Sequence, residues 1–258
     1  MWNTLPAHTP LYRASWLNDT WEDVLQGYGS FFTDGGRYNM THQQTIYAAQ
    51  DPLVALTEFA WHAGLKLCED LGNGVPLAYP LTATGKLWQF VINTPLTLVD
   101  VTHPACAHRF NYAAHAAYNP HPDRYRSCRD VANQLRQWAH PPAPHTRPEG
   151  LLAPSIRTSG PANYTAQQVV LFVMPAPAVV PVSLQSRGGL IDSWGVALEF
   201  LTDTGQPVTS IAPVVGWRNP RFRLSGSQNA VPRCPVRPRS RSLPVNNWQS
   251  LDIQYTPY

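Results

Sequence analysis

Lysine is nearly missing from this chain. Lys66 and Lys86 are the only two, so every other cationic residue is an arginine. Charge of either sign is scarce, at 14% of residues, and no Asp or Glu occurs between Asp203 and Asp252. No apolar run reaches spanning length, which excludes a helical membrane span, and no membrane partner is expected. Met1-Trp2-Asn3-Thr4 lacks the basic start and apolar core of an export signal, so a cytoplasmic location is expected. Cys68, Cys106, Cys128 and Cys234 are scattered and form no CxxC pair, which argues for reduced thiols rather than a zinc ribbon or a redox dithiol. There is no phosphate-binding Walker sequence and no G-x-G-x-x-G. There is no G-x-S-x-G nucleophile elbow either. No internal repeat is evident.

What the chain does have is aromatic and proline content. Nine Trp, 11 Tyr and eight Phe supply core material, and 26 Pro point to many loops rather than a helical bundle. A length of 258 residues suits one large domain, or one domain with an appendage.

The most informative stretch runs from Gly35-Gly36-Arg37-Tyr38-Asn39 to Glu58. The Gly-Gly pair permits a tight turn that projects Arg37. Arginine forks onto phosphate oxygens bidentately, as lysine cannot. Thr45-Ile46-Tyr47-Ala48 reads as a short strand. Asp51-Pro52 then reads as a helix start, with Asp as N-cap and Pro in the first turn. Leu53, Leu56, Ala60, Ala63 and Leu67 recur at helical spacing, which predicts a helix to about Lys66. Glu58 lies too deep in that helix to serve the cap. Its neighbours one turn away are Val54, Ala55, Trp61 and His62, so the carboxylate is either partly desolvated or facing a cleft. An arginine on a turn, a tyrosine and a half-desolvated carboxylate suit a phosphate-bearing, sugar-containing ligand.

This ordered series resembles the RES domain family, named for its arginine, glutamate and serine. The resemblance covers roughly residues 11–175. Leu11-Tyr12-Arg13 resembles the family's opening strand, and Gly35 to Asn39 its Gly-Arg-aromatic-Asn turn. Ile46-Tyr47 and Ala55-Leu56-Thr57-Glu58 come next at similar spacing. Gly150-Leu151-Leu152-Ala153-Pro154-Ser155-Ile156-Arg157 resembles the late Pro-Ser segment, with Asn163 and the strand Val169-Val170-Leu171-Phe172 after it. The resemblance implies an α+β fold similar to the ADP-ribosyltransferase toxins: a split, curved, mixed β-sheet with flanking helices and a cleft for NAD. It implies an NAD-consuming toxin of a toxin–antitoxin module. Such enzymes hydrolyse or phosphorolyse NAD or transfer ADP-ribose, and a cognate antitoxin is the implied partner. On this reading Glu58, Arg13 and Ser155 are catalytic, while Arg13, Arg37, Tyr47 and Ser155 bind NAD. Ser155 orients Glu58 or Arg13 rather than attacking.

Residues 1–180 are then expected to form the catalytic domain, 181–215 additional strands on or completing it, and 216–258 a Pro/Arg-rich tail. Arg218, Arg221, Arg223, Arg233, Arg237, Arg239 and Arg241 crowd that tail, which reads as extended or partly disordered. It suits an anionic partner such as nucleic acid. It equally suits loose packing on the body through Trp217, Phe222 and Trp248. A binding module of the same fold without turnover, using this tail, is the alternative function. His103, Cys106, His108, His115 and His121 lack ligand spacing, so no metal is expected.

Further elements are expected along the chain. Strands are predicted over Leu11–Trp16, Val75–Thr82, Lys86–Ile92, Leu96–Val101, Leu151–Ile156, Gln168–Met174, Val179–Leu184 and Val196–Leu201. Helices are predicted over Asp19–Gln26, Ala105–Tyr118 and Asp123–Ala139, with breaks at Asp70 to Gly74 and at Thr84-Gly85.

Overall fold

The computed structural model describes residues 2–27, 35–111, 125–137, 148–155, 167–172, 188–202, 204–210, 221–227 and 251–253. Ten strands and four helices are defined there. They are β1 (Trp2–Leu5), β2 (Pro10–Trp16), α1 (Trp21–Gln26), β3 (Thr45–Ala49), α2 (Pro52–Gly72), β4 (Thr82–Ile92) and β5 (Leu96–Asp100). They continue with α3 (Pro104–Phe110), α4 (Arg126–Arg136), β6 (Gly150–Pro154), β7 (Gln167–Phe172), β8 (Gly188–Leu201), β9 (Arg221–Ser227) and β10 (Leu251–Ile253).

The strands lie in the order β1-β5-β6-β7-β3-β2-β4-β8-β9-β10. Only β5 and β6 are parallel; the other neighbours are antiparallel. The sheet opens in its middle. β2 and β3 meet at the single pair Tyr12↔Ala49, whereas β2 runs along β4 from Pro10 to Trp16. This is the expected α+β class with a split mixed sheet.

Alternation of side chains across each strand sorts the core into layers. On one face, α2 lays Leu56, Phe59, Ala60 and Ala63 against Tyr12, Leu87, Leu198 and Phe200. Beside it, α4 lays Cys128, Val131, Ala132 and Leu135 against Leu151, Val170 and Phe172. The opposite face gathers Leu11, Ile46, Phe90, Leu98, Leu152, Val169 and Leu171 under Leu5. Burying each such leucine contributes roughly 1.5–3 kcal/mol. Cys106 and Cys128 are buried thiols not joined in a disulfide. No helix described is long and apolar enough to cross a membrane.

The local chemistry explains the element ends. Asp51 caps α2 by accepting from Leu53 N at 2.8 Å, with Pro52 in the first turn. The helix passes the expected stop near Lys66 and ends at Gly72, because Lys66 pairs with Asp70 and Leu67 and Leu71 still pack on the core. Thr20 and Asp23 form a capping box that starts α1 later than Asp19. Asp19 instead accepts from Trp16 N at 3.1 Å.

Several expected elements need correction. Val75 to Leu81 is not a strand. Pro76 and Pro80 remove ladder donors there. β4 begins at Thr82 and runs unbroken through Thr84-Gly85. Gly85 is a packing residue rather than a break: a Cβ there would stand 2.6 Å from both the Phe59 ring and the Ser15 carbonyl oxygen. β8 starts at Gly188, earlier than Val196, because it pairs along the whole of β4. α3 starts at Pro104, capped by the His103 ring accepting from Ala105 N at 3.1 Å. It ends at Phe110, where Asn111 turns left-handed, and residues 112–118 lie outside the described residues. α4 is shorter than expected at Arg126–Arg136. The expected strand Val179–Leu184 lies outside the described residues, as do the side chains of Trp217, Phe222 and Trp248. β1 was not expected. Nor were β9 and β10, which are strands of the same sheet within the Arg-rich stretch.

Candidate active site

The glycine-arginine turn lies just before β3. Gly35 sits at φ 84°, where other residues are strained. At Gly36 a Cβ would stand 2.5 Å from the Tyr47 hydroxyl oxygen, so glycine is required for the tyrosine to reach in. That hydroxyl accepts from Tyr38 N at 2.9 Å and donates to Asn39 Oδ1 at 2.7 Å. Asn39 Oδ1 also accepts from Gly36 N at 2.9 Å. Burial pushes the Tyr47 phenol up to about 12, only partly countered by the hydrogen bond from Tyr38 N and by Arg37 and Arg136. Tyr47 therefore stays a neutral pin holding the turn closed.

The turn sends Arg37 into the protein, where it is buried. Its Nη2 donates to the Pro154 carbonyl at 2.7 Å and to Gln168 Oε1 at 3.0 Å. Its guanidinium also lies 4.9 Å from the Tyr38 ring centroid. Burial pulls the guanidinium down. Tyr38, Glu58, Cys128 and Tyr125 together outweigh that, leaving it raised. Glu58 is thus electrostatically coupled to Arg37.

Glu58 projects half-buried from α2. Ser155, fully buried just past the end of β6, donates its Oγ proton to Glu58 Oε1 at 2.7 Å. The bond joins residues far apart in the chain and fixes one carboxylate oxygen. Of the two partners expected for Ser155, the structure brings it to Glu58.

Arg13 lies at the opening between β2 and β3. Its Nη1 donates to the Tyr47 carbonyl at 3.4 Å, across the gap that the backbone ladder leaves. Its Nε is buried without a partner. Burial pulls this guanidinium below the ordinary arginine range, against the opposing pull of Asp19 and Tyr47. Arg13 thus meets Tyr47, and not Glu58 or Ser155.

Four further residues belong to this constellation. Gln168 holds Arg37 from β7. Arg129 on α4 donates from Nε to the Gly36 carbonyl at 2.9 Å and from Nη2 to the Gly35 carbonyl at 3.4 Å. Arg136 donates to Thr45 Oγ1 at 2.7 Å and lies 4.1 Å from the Phe172 ring centroid. Burial lowers Arg136 to about 10, so it remains charged at neutral pH. Between them Asn133 accepts from Gln43 Nε2 at 2.7 Å. Arg129, Asn133 and Arg136 share one stripe of α4, and all three grip the segment that carries Arg37. A helix was expected here, but nothing in the sequence marked these three residues, whose partners lie far along the chain.

A separate open cavity of about 400 Å³ lies between α3 and α4, lined by Arg109, Asn111, Ser127, Asp130 and Gln134 among others. It contains none of the expected site residues. Among the described residues no group of His, Cys, Asp and Glu has the arrangement of a metal site.

An α+β fold with a split mixed sheet, carrying a serine-held glutamate and a buried arginine near the split, defines the class. The particular family emerges from comparison. Residues 10–194 match the RES domain, and the chain belongs to the RES domain family. That match ends at Trp194, inside β8. Among curated proteins no match was found. Among solved structures the chain is similar to the M. tuberculosis MbcT toxin–antitoxin complex, a crystal structure of MbcT with MbcA. The likeness has 16% identity and a TM-score of 0.47, covering 74% of this chain and 85% of that one.

Proposed function

We propose that this protein is an NAD-consuming enzyme that breaks the bond between nicotinamide and ribose, acting as the toxin of a toxin–antitoxin pair. The observation that carries the reading is the Ser155–Glu58 hydrogen bond of 2.7 Å, with Arg37 electrostatically coupled to the same carboxylate. As C1′–N breaks, the electron pair leaves with nicotinamide and positive charge develops on the ribose. This resembles glycoside hydrolysis, but the leaving group needs no strong acid. Glu58 stabilises the oxocarbenium and bonds the ribose hydroxyls, or activates the acceptor. Ser155 holds Glu58 in place. Arg13 and Arg37 grip the phosphates or ribose. Tyr47 offers its ring to the cationic nicotinamide while its hydroxyl pins the turn.

The acceptor is water, phosphate or a protein side chain, so the enzyme is a glycohydrolase, a phosphorylase or an ADP-ribosyltransferase. Residues 1–180 form the catalytic body, 181–215 add β8 to its sheet, and 216–258 add the edge strands β9 and β10 and carry the arginines that take an anionic partner. The protein works in the cytoplasm without a metal, and a cognate antitoxin restrains it.

Incubating purified protein with NAD, with and without phosphate, and assaying free nicotinamide tests the reading. A parallel arm with labelled NAD in a cell lysate detects transfer to protein. Absence of both nicotinamide release and label transfer would leave the alternative, a binding module without turnover.

A further inference from the structure

We propose that Arg129 is a positioning residue for the reaction, acting on Glu58 through the glycine turn, Arg37 and the end of β6. The inference rests on the NAD-cleaving reading of this site. The turn cannot stiffen itself. Gly36 has no room for a side chain, since a Cβ there would stand 2.5 Å from the Tyr47 hydroxyl oxygen. Glycine backbone is also the least restrained in a chain, so hydrogen bonds must fix these peptide planes. Asn39 Oδ1 accepts from Gly36 N at 2.9 Å, inside the turn. Arg129 holds the other side, donating from Nε to the Gly36 carbonyl at 2.9 Å and from Nη2 to the Gly35 carbonyl at 3.4 Å. The Arg129 guanidinium is itself steadied by the Tyr125 ring, whose centroid lies 5.9 Å away.

What the turn carries gives this hold its consequence. The Gly36–Arg37 peptide sets where the Arg37 side chain starts. Among its bonds, Arg37 donates from Nη2 to the Pro154 carbonyl at 2.7 Å. Pro154 precedes Ser155, whose Oγ donates to Glu58 Oε1 at 2.7 Å. Arg37 and Ser155 are both buried. A close-packed interior passes a displacement on instead of absorbing it. The path thus runs from α4 to the carboxylate. A clamp that serves folding alone ends at the segment it holds, and its loss lowers stability only. A clamp in this path also sets the direction of Glu58, and its loss lowers turnover in protein that stays folded.

The test is a double-mutant cycle on nicotinamide release from NAD, with kcat, KM and melting temperature for each protein. Its members are full-length wild type, Arg129→Met, Ser155→Ala and the double variant. Methionine keeps the apolar stem and removes the donors. Arg129→Met is expected to lower kcat about tenfold with KM changed less than about threefold, as for losing the hydrogen bonds that orient a charged group. In the double variant the kcat loss is expected to stay near that of the worse single variant, because without Ser155 the path no longer reaches Glu58. Losses that multiply to about a hundredfold overturn the proposal, since independent sites behave that way. Wild-type kcat in a folded Arg129→Met protein also overturns it and leaves Arg129 a structural clamp. So does a raised KM with unchanged kcat, which would place the effect on ligand contact. Wild type that releases no nicotinamide overturns the NAD-cleaving reading itself, a result seen before any substitution is made. Where Arg129→Met fails to fold, Arg129→Lys takes its place in the cycle. It keeps the charge but not the fork, so its own kcat loss is expected to be about threefold. Multiplication of that loss with the Ser155→Ala loss overturns the proposal in the same way.

Discussion

On one side of the β2–β3 opening, the molecule is held by long backbone ladders and apolar packing. β4 pairs along its whole length with β8, the second half of β8 pairs with β9, and α2 packs on this side with Leu56, Phe59, Ala60 and Ala63. On the other side the strands are shorter and much of the hold is polar. Arg129, Asn133 and Arg136 of α4 grip the segment from Gly35 to Thr45, and Gln168 and Pro154 grip Arg37. Glu58 comes from the first half, Ser155 and Arg37 from the second. The ladder half acts as the fixed frame and the polar half sets the geometry. That division fits a site that needs charges in fixed places, since side-chain hydrogen bonds orient groups that apolar packing leaves free.

The comparison breaks most sharply at Glu58, which belongs to the frame but works with the other half. Glu58→Gln keeps the shape and the capacity to meet Ser155 while removing the charge. Nicotinamide release is expected to fall by about 10²-fold or more with the melting temperature little changed. Full turnover in the Gln variant would remove Glu58 from the mechanism.

Next come the arginines of the polar half and the opening. Arg37→Ala and Arg13→Ala are each expected to weaken NAD binding by about 1.5–3 kcal/mol in calorimetry. Lysine at either position restores little, because the fork is lost. Arg37→Ala also strips a partner from buried Gln168, so its melting temperature falls as well. Affinity unchanged in both Ala variants would contradict their assignment.

Ser155→Ala should cost roughly tenfold in kcat with KM nearly unchanged, as expected for losing one hydrogen bond that orients a charged group. A raised KM with unchanged kcat would make Ser155 a ligand contact instead.

A smaller effect separates the halves by pH. The Tyr47 phenol is raised from the ordinary 10.0 to about 12. The folded protein thus holds that proton more tightly than the unfolded chain. Its stabilising contribution is complete below about 10 and is lost as pH rises through about 12. Tyr47→Phe should lower stability at neutral pH and flatten that alkaline decline. Identical alkaline unfolding of the two proteins would show that Tyr47 is not held as described.

The smallest effect on chemistry is expected at the far end of the frame. Removing residues after about Val215 takes away β9 and β10 and the Arg223–Glu199 ion pair of 3.1 Å. The edge of β8 is left open, and the melting temperature should drop by several degrees. Nicotinamide release should persist, because every assigned residue lies before β8. A folded but inactive truncation would place a residue of that stretch in the site.

The difference between the halves also explains what the sequence made legible. Local signals were strong around Arg37: two glycines, a β-rich run, then Asp-Pro opening an apolar helix. That stretch could be read almost to the residue. Gly85 misled, because a glycine inside a strand reads as a turn until Phe59 is known to pack on it. β9 was hidden by arginines whose composition suggests an extended tail, although its ladder is set by β8. Gln168, Arg129 and Arg136 carry no local signal at all. Their meaning lies in partners about ninety or more residues away, and only the assembled sheet supplies those.

The central claim is that NAD reacts where the two halves meet. The structure of the Glu58→Gln protein with NAD bound tests it most directly. The account predicts the nicotinamide ribose within hydrogen-bond reach of position 58, about 3 Å, with the diphosphate on Arg37 or Arg13. NAD lodged instead in the cavity between α3 and α4, beside Arg109, Ser127 and Asp130, would contradict it.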